Sequence, residues 1–337
     1  MSRSLAVEYR PQTFDDVTEQ SSIIKILEKQ IENKRYQNLL LCGPSGCGKT
    51  TLGRIFANEV NGGVGQPIEI DAASNSGVDN VRSIIKDAQE RSLSGEYKIY
   101  IVDECHSLSN TAWQAFLKCI EETPKYTIFI FCTTDPQKVP ATILNRVMRL
   151  NLNRISHEGI IKRLDYICKR EGFTNYKDSI DYISRICNGG MRDAIAYLEK
   201  CATYSPDLTL ENVMKVLGDY SYSVYIDLIN ALIDEDLKKI LDILNYIFET
   251  GDPKLFVNQF FNLVLEITKY VIFGNINATK LPITLEKDVQ GCINFDNPVN
   301  YFNYLIDKML ELKNNIKGEI DINNSIIATF IQMSRLK

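Results

Sequence analysis

The sequence predicts an α/β fold with a five-stranded parallel sheet, followed by a chain that is helical to its end. Three observations predict it. Between Asn38 and Leu152 short β-rich runs alternate with helical patterns, as in a parallel sheet with crossover helices. A G-x-x-x-x-G-K-T turn lies between the first strand and the helix that follows it. Beyond Arg154 the β-runs stop, and apolar residues recur about every 3.6 positions.

The expected strands are Asn38 to Cys42, Pro67 to Ile70, Lys98 to Val102, Thr127 to Cys132 and Val147 to Leu152. Helical stretches fall between them at Thr50 to Val60, Val78 to Ser92, Asn110 to Glu122 and Pro140 to Asn145. Three helices follow at His157 to Glu171, Lys177 to Cys187 and Met191 to Tyr204. The turns between them carry Gly172 and the pair Gly189 and Gly190, as helix ends commonly do. From Ser221 the positions Ile226, Ile229, Ile233, Leu237, Ile240, Leu244 and Ile247 keep the helical period. Asp252-Pro253, Leu281-Pro282 and Asn297-Pro298 mark turns. The expected domains are 1–153 for the sheet, 154–218 for a small helical domain and 219–337 for a second helical domain. No internal repeat or low-complexity segment is present.

A length of 337 residues suits two or three domains, and 45% hydrophobic with 24% charged residues is an ordinary globular composition. Lys and Arg number 38 against 43 Asp and Glu, a net charge of -5, so any nucleic-acid contact must be a local patch. Nine cysteines without CxxC pairs and only two histidines, His106 and His157, argue against a zinc site and for reduced thiols in a cytosolic compartment. Residues Met1 to Arg10 lack a signal-peptide layout, and no apolar run reaches about 18 residues, so a cytoplasmic protein without a membrane span is expected.

Gly43-Pro44-Ser45-Gly46-Cys47-Gly48-Lys49-Thr50 follows a strand and opens a helix, the context a phosphate-binding loop requires. Its glycines let backbone N–H groups face a β-phosphate, and the helix N-terminus adds partial positive charge. Lys49 would reach the β- and γ-phosphates of ATP, and the Thr50 hydroxyl would ligate Mg²⁺; Thr51 adjoins them. The strand Lys98 to Val102 ends in Asp103 and Glu104 at the carboxyl edge of the sheet. Asp103 would hold the metal, and Glu104 would orient and polarise the attacking water. Thr133-Thr134-Asp135 closes the next strand. Thr134 is the candidate for sensing the γ-phosphate, with a turn or capping role as the alternative.

These residues resemble the AAA+ clamp-loader ATPases, most closely the bacterial gamma/tau type. Glu8-Tyr9-Arg10-Pro11-Gln12-Thr13-Phe14-Asp15-Asp16-Val17 is similar to the family's N-terminal box, which lines the adenine pocket and makes Tyr9, Arg10, Pro11 and Val17 candidate ATP contacts. Asp103-Glu104-Cys105-His106-Ser107-Leu108-Ser109 resembles its D-E-x-H-x-L-S run. Thr133-Thr134-Asp135-Pro136-Gln137-Lys138-Val139-Pro140-Ala141-Thr142-Ile143-Leu144-Asn145-Arg146 follows its T-T-D-P-Q-K-x-P-x-T-I-L-S-R stretch nearly residue for residue. The likeness runs from about Leu5 to Leu217.

The resemblance implies an AAA+ P-loop domain, a helical lid domain at 154–218 and a helical collar at 219–337. It makes Arg146 an arginine finger for a neighbouring subunit's ATP and Arg192 a sensor of the nucleotide in its own chain. Without the flanking match either would read as a solvated helix-end arginine. Asn145-Arg146-Val147 keeps only the arginine of the family's S-R-C triplet, and Glu19 stands where a glycine usually precedes Gln20, which leaves the adenine-side turn open. Asn61 to Gly65 leads to the next strand without cysteine, where relatives carry a zinc module, so no zinc is expected. The chain ends near the expected end of a collar, which suggests a minimal or phage-type loader without a tau-like extension.

The resemblance also implies partners: other loader subunits in a pentameric ring, a sliding clamp, and primer-template DNA held by its phosphates. Ser74, Asn75, Ser76 and Arg82 match the helix that tracks the template, where helix-start N–H groups suffice. An ordinary capped helix is the alternative. The tip from Ser92 to Glu96 is the candidate clamp contact. The implied function is ATP-dependent clamp loading, in which ATP at subunit interfaces locks a spiral and hydrolysis releases the closed clamp. Another AAA+ DNA motor, such as a branch-migration or recombination factor, and a non-hydrolysing structural subunit are the alternatives.

Overall fold

In the computed structural model, residues 4–92, 95–218, 222–250, 252–282, 285–316 and 321–334 are described. The chain opens with helices α1 (Leu5–Glu8) and α2 (Ser21–Glu32). Then come β1 (Leu39–Cys42), α3 (Lys49–Val60), β2 (Ile68–Asp71), α4 (Val78–Ala88), β3 (Lys98–Asp103), α5 (Asn110–Glu121), β4 (Thr127–Thr133), α6 (Ala141–Leu144) and β5 (Met148–Asn151). The remainder is helical: α7 (His157–Glu171), α8 (Lys177–Ile186), α9 (Met191–Tyr204), α10 (Leu210–Leu217), α11 (Tyr222–Ile233), α12 (Leu237–Thr250), α13 (Pro253–Phe273), α14 (Glu286–Cys292), α15 (Pro298–Asn315) and α16 (Ile322–Met333).

All five strands pair in parallel, in the order β2-β3-β4-β1-β5. Alternation along each strand divides the core between the two faces of the sheet. Leu39 and Leu41 pack with Ile101, Ile130, Leu52 and Phe56 beneath α2 and α3. Leu40 and Cys42 pack with Tyr100, Phe129, Phe131, Trp113 and Phe116 beneath α4 and α5. Phe116 stands edge-on to Phe129 and Phe131 at 5.6 and 5.5 Å. Burial of each such ring contributes about 1.5–3 kcal/mol. β1 lies between β4 and β5, so the loops leaving β1 and β4 are neighbours at the carboxyl edge. Such a switch point is where open parallel sheets bind ligands.

The chain divides into two compact units. One holds the described residues to Glu171 with Ile183–Glu199, and the other Gly172–Tyr182 with the described residues from Lys200. The second unit is all-helical and centres on Phe256, Phe260, Phe302 and Phe330, all fully buried. Its buried Glu266 is bound by Lys269 at 2.6 Å and by the Lys280 N–H at 2.7 Å.

Several elements differ from the sequence reading. α4 ends at Ala88 rather than Ser92, because Lys98 and Thr127 take the Asp87 and Ala88 carbonyls at 2.8 and 2.9 Å. The helical period from Ile226 to Ile247 is broken between α11 and α12 by Glu235, at φ 56°. Asp236 then accepts the Lys239 N–H at 3.0 Å and starts the next helix. α1, α2 and α10 were not expected. Among the described residues no helix is long and apolar enough to cross a membrane.

Candidate nucleotide-binding site

The turn after β1 needs left-handed backbone at Gly46 (φ 72°) and Gly48 (φ 101°), which glycine adopts without a side-chain clash. Among the described residues the N–H groups of Gly46 and Gly48 meet no protein acceptor. Lys49 is 7% exposed, and its Nζ donates to the carbonyls of Gly43 and Pro44, each at 2.9 Å. A turn with open donors around a buried ammonium fits a polyphosphate.

The Thr50 hydroxyl donates to Asp103 Oδ2 at 2.6 Å, and Asp103 Oδ1 accepts the Glu104 N–H at 2.9 Å. A hydroxyl and a carboxylate so placed beside Lys49 suit an oxygen-ligated Mg²⁺. Among the described residues no group of three or more His, Cys, Asp or Glu could hold a metal by itself, so phosphate oxygens would complete that shell. Glu104 has φ 46°, a strained conformation for a residue with a side chain. Its Oε2 lies 3.4 Å from Thr134 Oγ1 and 3.3 Å from His106 Nδ1, and His106 Nδ1 is 3.1 Å from Thr133 Oγ1.

Lys49, Thr50, Asp103 and Glu104 open onto a cavity of about 410 Å³. Of the residues expected from sequence, Tyr9, Arg10, Pro11, Val17, Ser45, Gly46, Cys47, Gly48, Lys49, Thr50, Thr51, Asp103, Glu104 and Arg192 line it. Gly43, Pro44 and Thr134 line a neighbouring cavity instead. Ser4, Ala6, Val7, Thr18, Ile155, Arg163, Met191, Ile195 and Ala196 line the main cavity and were missed. Nothing in their local sequence marks them, because they arrive from α1 and its start, the turn before α2, the β5–α7 junction, α7 and α9. Arg163 Nη2 donates to the Tyr9 carbonyl at 2.6 Å, and Tyr9 stands edge-on to Tyr166 at 6.2 Å. Burial, then the hydrogen bond to Glu171, pushes the Tyr9 hydroxyl up to about 12. Burial lowers Arg10, and the nearby charges of Arg54 and Arg192 lower it further against Glu69. Burial raises the Cys47 thiol despite Lys49, so it stays protonated at neutral pH.

The turn before α2 was left open by the sequence. Glu19 and Gln20 both adopt left-handed backbone there, at φ 65° and 61°. Glu19 accepts the Ser156 N–H at 3.1 Å and also its hydroxyl.

Arg146 lies outside the main cavity, beside a separate one of about 510 Å³. Its guanidinium pairs with Glu121 at 2.6 Å and donates to the Thr142 carbonyl at 2.7 Å. Ser74, Asn75, Ser76 and Arg82 sit around the start of α4. Ser74 and Asn75 bond to Asp71 at 2.9 and 3.0 Å, and Arg82 pairs with Asp79 at 3.1 Å. The N-cap of α4 is Gly77, which supplies no side-chain cap. Leu93 and Ser94 of the Ser92 to Glu96 tip lie outside the described residues.

A family model for "DNA polymerase III, delta subunit" matches residues 67–156. The DNA polymerase III subunit gamma of Buchnera aphidicola (subsp. Schizaphis graminum) is 31% identical over 79% of this chain, and the match covers 78% of that protein. This chain belongs to the DNA polymerase III gamma/tau family. The tau subunit of Bacillus subtilis is 35% identical over 73% of the chain, and the gamma/tau subunit of Mycoplasma genitalium 28% identical over 91%. The match takes in about half of each of these two relatives, 48% and 55%. In fold, this gamma/tau family member is similar to the Thermotoga maritima RuvB Holliday junction branch migration motor. The TM-score is 0.53 at 18% identity, over 67% of this chain and 79% of the other. The fold is thus the AAA+ P-loop α/β fold with a largely helical C-terminal region.

Proposed function

We propose that this chain is an ATP-hydrolysing motor subunit of a clamp loader, which opens a sliding clamp and loads it onto primer-template DNA during replication. The observation that carries the reading is the convergence of Lys49, Thr50, Asp103, Glu104 and Arg192 on one cavity, in a chain of the gamma/tau family. The proposed division is a nucleotide-binding domain at 1–153, a lid at 154–218 and a collar at 219–337, acting in the cytoplasm.

The base of ATP would lie against Tyr9, Arg10, Pro11 and Val17, and its phosphates against residues 43–51. Lys49 leaves the Gly43 and Pro44 carbonyls to pair with the β- and γ-phosphates. Thr50 and Asp103 would hold Mg²⁺, which would supply charge neutralisation at the phosphate oxygens. Glu104 accepts a proton from water aligned with the γ-phosphate, and Thr134, whose hydroxyl approaches Glu104, reports that phosphate's presence. Arg192 pairs with the phosphates from within the same chain.

Arg146, outside this cavity and half-exposed, supports a finger that acts in a neighbouring subunit of a pentameric ring. Template phosphates would meet the uncapped start of α4 with Ser74, Asn75, Ser76 and Arg82, which reconciles DNA contact with a net charge of -5. The test is ATP hydrolysis by the purified assembly with clamp and primed DNA, for wild type, Lys49→Ala and Arg146→Ala. Stimulation by clamp and DNA that both substitutions abolish is expected. Unwinding of DNA without a clamp would instead favour another AAA+ motor.

A further inference from the structure

Glu19 and Gln20 directly follow Val17 and Thr18, which line one wall of the main cavity. Both are left-handed and neither is glycine, a conformation that surrounding contacts must hold in place. The contacts reach residues 153–156. Glu19 accepts from the Ser156 N–H and hydroxyl. The Gln20 amide accepts from the Asn153 N–H at 3.2 Å and donates to the Asn153 carbonyl at 2.8 Å.

Residues 153–156 are held on their other side as well. The Ile155 N–H donates to the Gly189 carbonyl at 3.1 Å, and the Arg154 guanidinium to the Asn188 carbonyl. Two residues on from Gly189, the Met191 N–H donates to the Gly46 carbonyl of the phosphate loop at 3.0 Å. Beside the cavity, segments 17–20, 153–156, 188–191 and Gly46 are thus joined one to the next by hydrogen bonds. Glu19 Oε1 lies against the start of α7, where a Cβ at Gly159 would stand 2.7 Å from it.

We propose that Glu19 is a positioning residue for nucleotide binding: by tying residues 17–18 to 153–156 it pre-forms the base side of the cavity. This rests on the cavity being the ATP site. A wall that is already ordered costs no ordering when the ligand arrives. Lys49 and Glu104 bond to Gly43, Pro44 and Thr134 and not to Glu19 or residues 153–156, so the effect falls on affinity and not on turnover.

The test is titration calorimetry of the full chain with ATP and Mg²⁺, alongside kcat and thermal melting, for wild type, Glu19→Ala, Glu19→Gln and Lys49→Ala. Loss of one clasp worth about one net hydrogen bond makes Glu19→Ala bind about three- to tenfold more weakly, with kcat retained. Glu19→Gln keeps an oxygen for the Ser156 N–H and an amide for its hydroxyl oxygen, and stays within about twofold of wild type. Wild-type affinity in Glu19→Ala, equal weakness in both Glu19 variants, or a matching fall in kcat overturns the proposal. If the wild type binds no ATP, or Lys49→Ala binds it equally well, the nucleotide reading itself fails and the proposal with it.

Discussion

The Thr50 hydroxyl bonds to the Asp103 carboxylate across 2.6 Å, joining the first turn of α3 to the end of β3. These residues are 53 positions apart in sequence, yet the β1 and β3 carboxyl ends flank β4 and bring them together. Glu104, next along the chain, points its carboxylate toward Thr134 and His106 rather than into an ion pair with Lys49.

Glu104→Gln is therefore expected to keep ATP binding and lose hydrolysis. A positioned general base contributes roughly 10²–10⁴-fold. Phosphate release from the assembly, beside nucleotide affinity of the chain, checks both halves of this expectation.

Arg146→Ala should leave nucleotide binding by the isolated chain untouched, because Arg146 does not line the main cavity. In the assembly it should lower hydrolysis by about 10³-fold or more. Glu121→Ala should cost under about 1 kcal/mol in denaturant unfolding, since the Arg146–Glu121 pair is about 38–39% exposed.

How legible these features were depended on whether the chain carries its signal locally. The strands of the sheet were readable within a residue or two, because β1, β3 and β4 are short, mostly apolar runs and β2 and β5 alternate apolar with polar residues between turns. The glycine turn between β1 and α3 was readable because its pattern lies in eight consecutive residues. α2 was missed because its inward stripe includes Gln30, a polar residue made acceptable by bonding the Gln37 N–H at 3.1 Å and approaching Met148 Sδ at 3.2 Å. The far end of α4 was misjudged because side chains from β3 and β4 claim its last carbonyls, a tertiary effect. Arg163 and Met191 could not be read as cavity residues, since only the folded chain brings α7 and α9 to the loop after β1.

Gly46→Ala should both destabilise the protein and weaken nucleotide binding. Its Cβ would meet Gly190 Cα at 3.1 Å, and its φ of 72° costs a side-chain-bearing residue roughly 1–2 kcal/mol. A lowered melting temperature together with a raised Kd for ATP is the expected pair of results.

Asp87 ties α4 to β3. The bonds from Lys98 and then Tyr100 hold its carboxyl below the usual carboxylate range. A carboxylate depressed in the folded state contributes stability above its unfolded pKa and loses it as pH falls through the folded value. Asp87→Asn should thus be less stable than wild type at neutral pH, with the gap closing below about pH 4. Urea unfolding at several pH values measures the gap.

In the helical unit, Phe260 is fully buried, 5.8 Å from Phe256 and 5.1 Å from Phe330. Phe260→Ala should cost about 3–5 kcal/mol through lost burial and the cavity it leaves. Circular dichroism during denaturant unfolding would report it.

The claim on which the rest depends is that a nucleoside triphosphate seats against Lys49. Equilibrium dialysis of Mg²⁺ and ATP with wild type and Lys49→Ala tests it directly. Saturable binding by wild type, weakened about tenfold or more when the charged phosphate contact is removed, is the expected result. Equal affinity in the two proteins, or no binding by either, would contradict it.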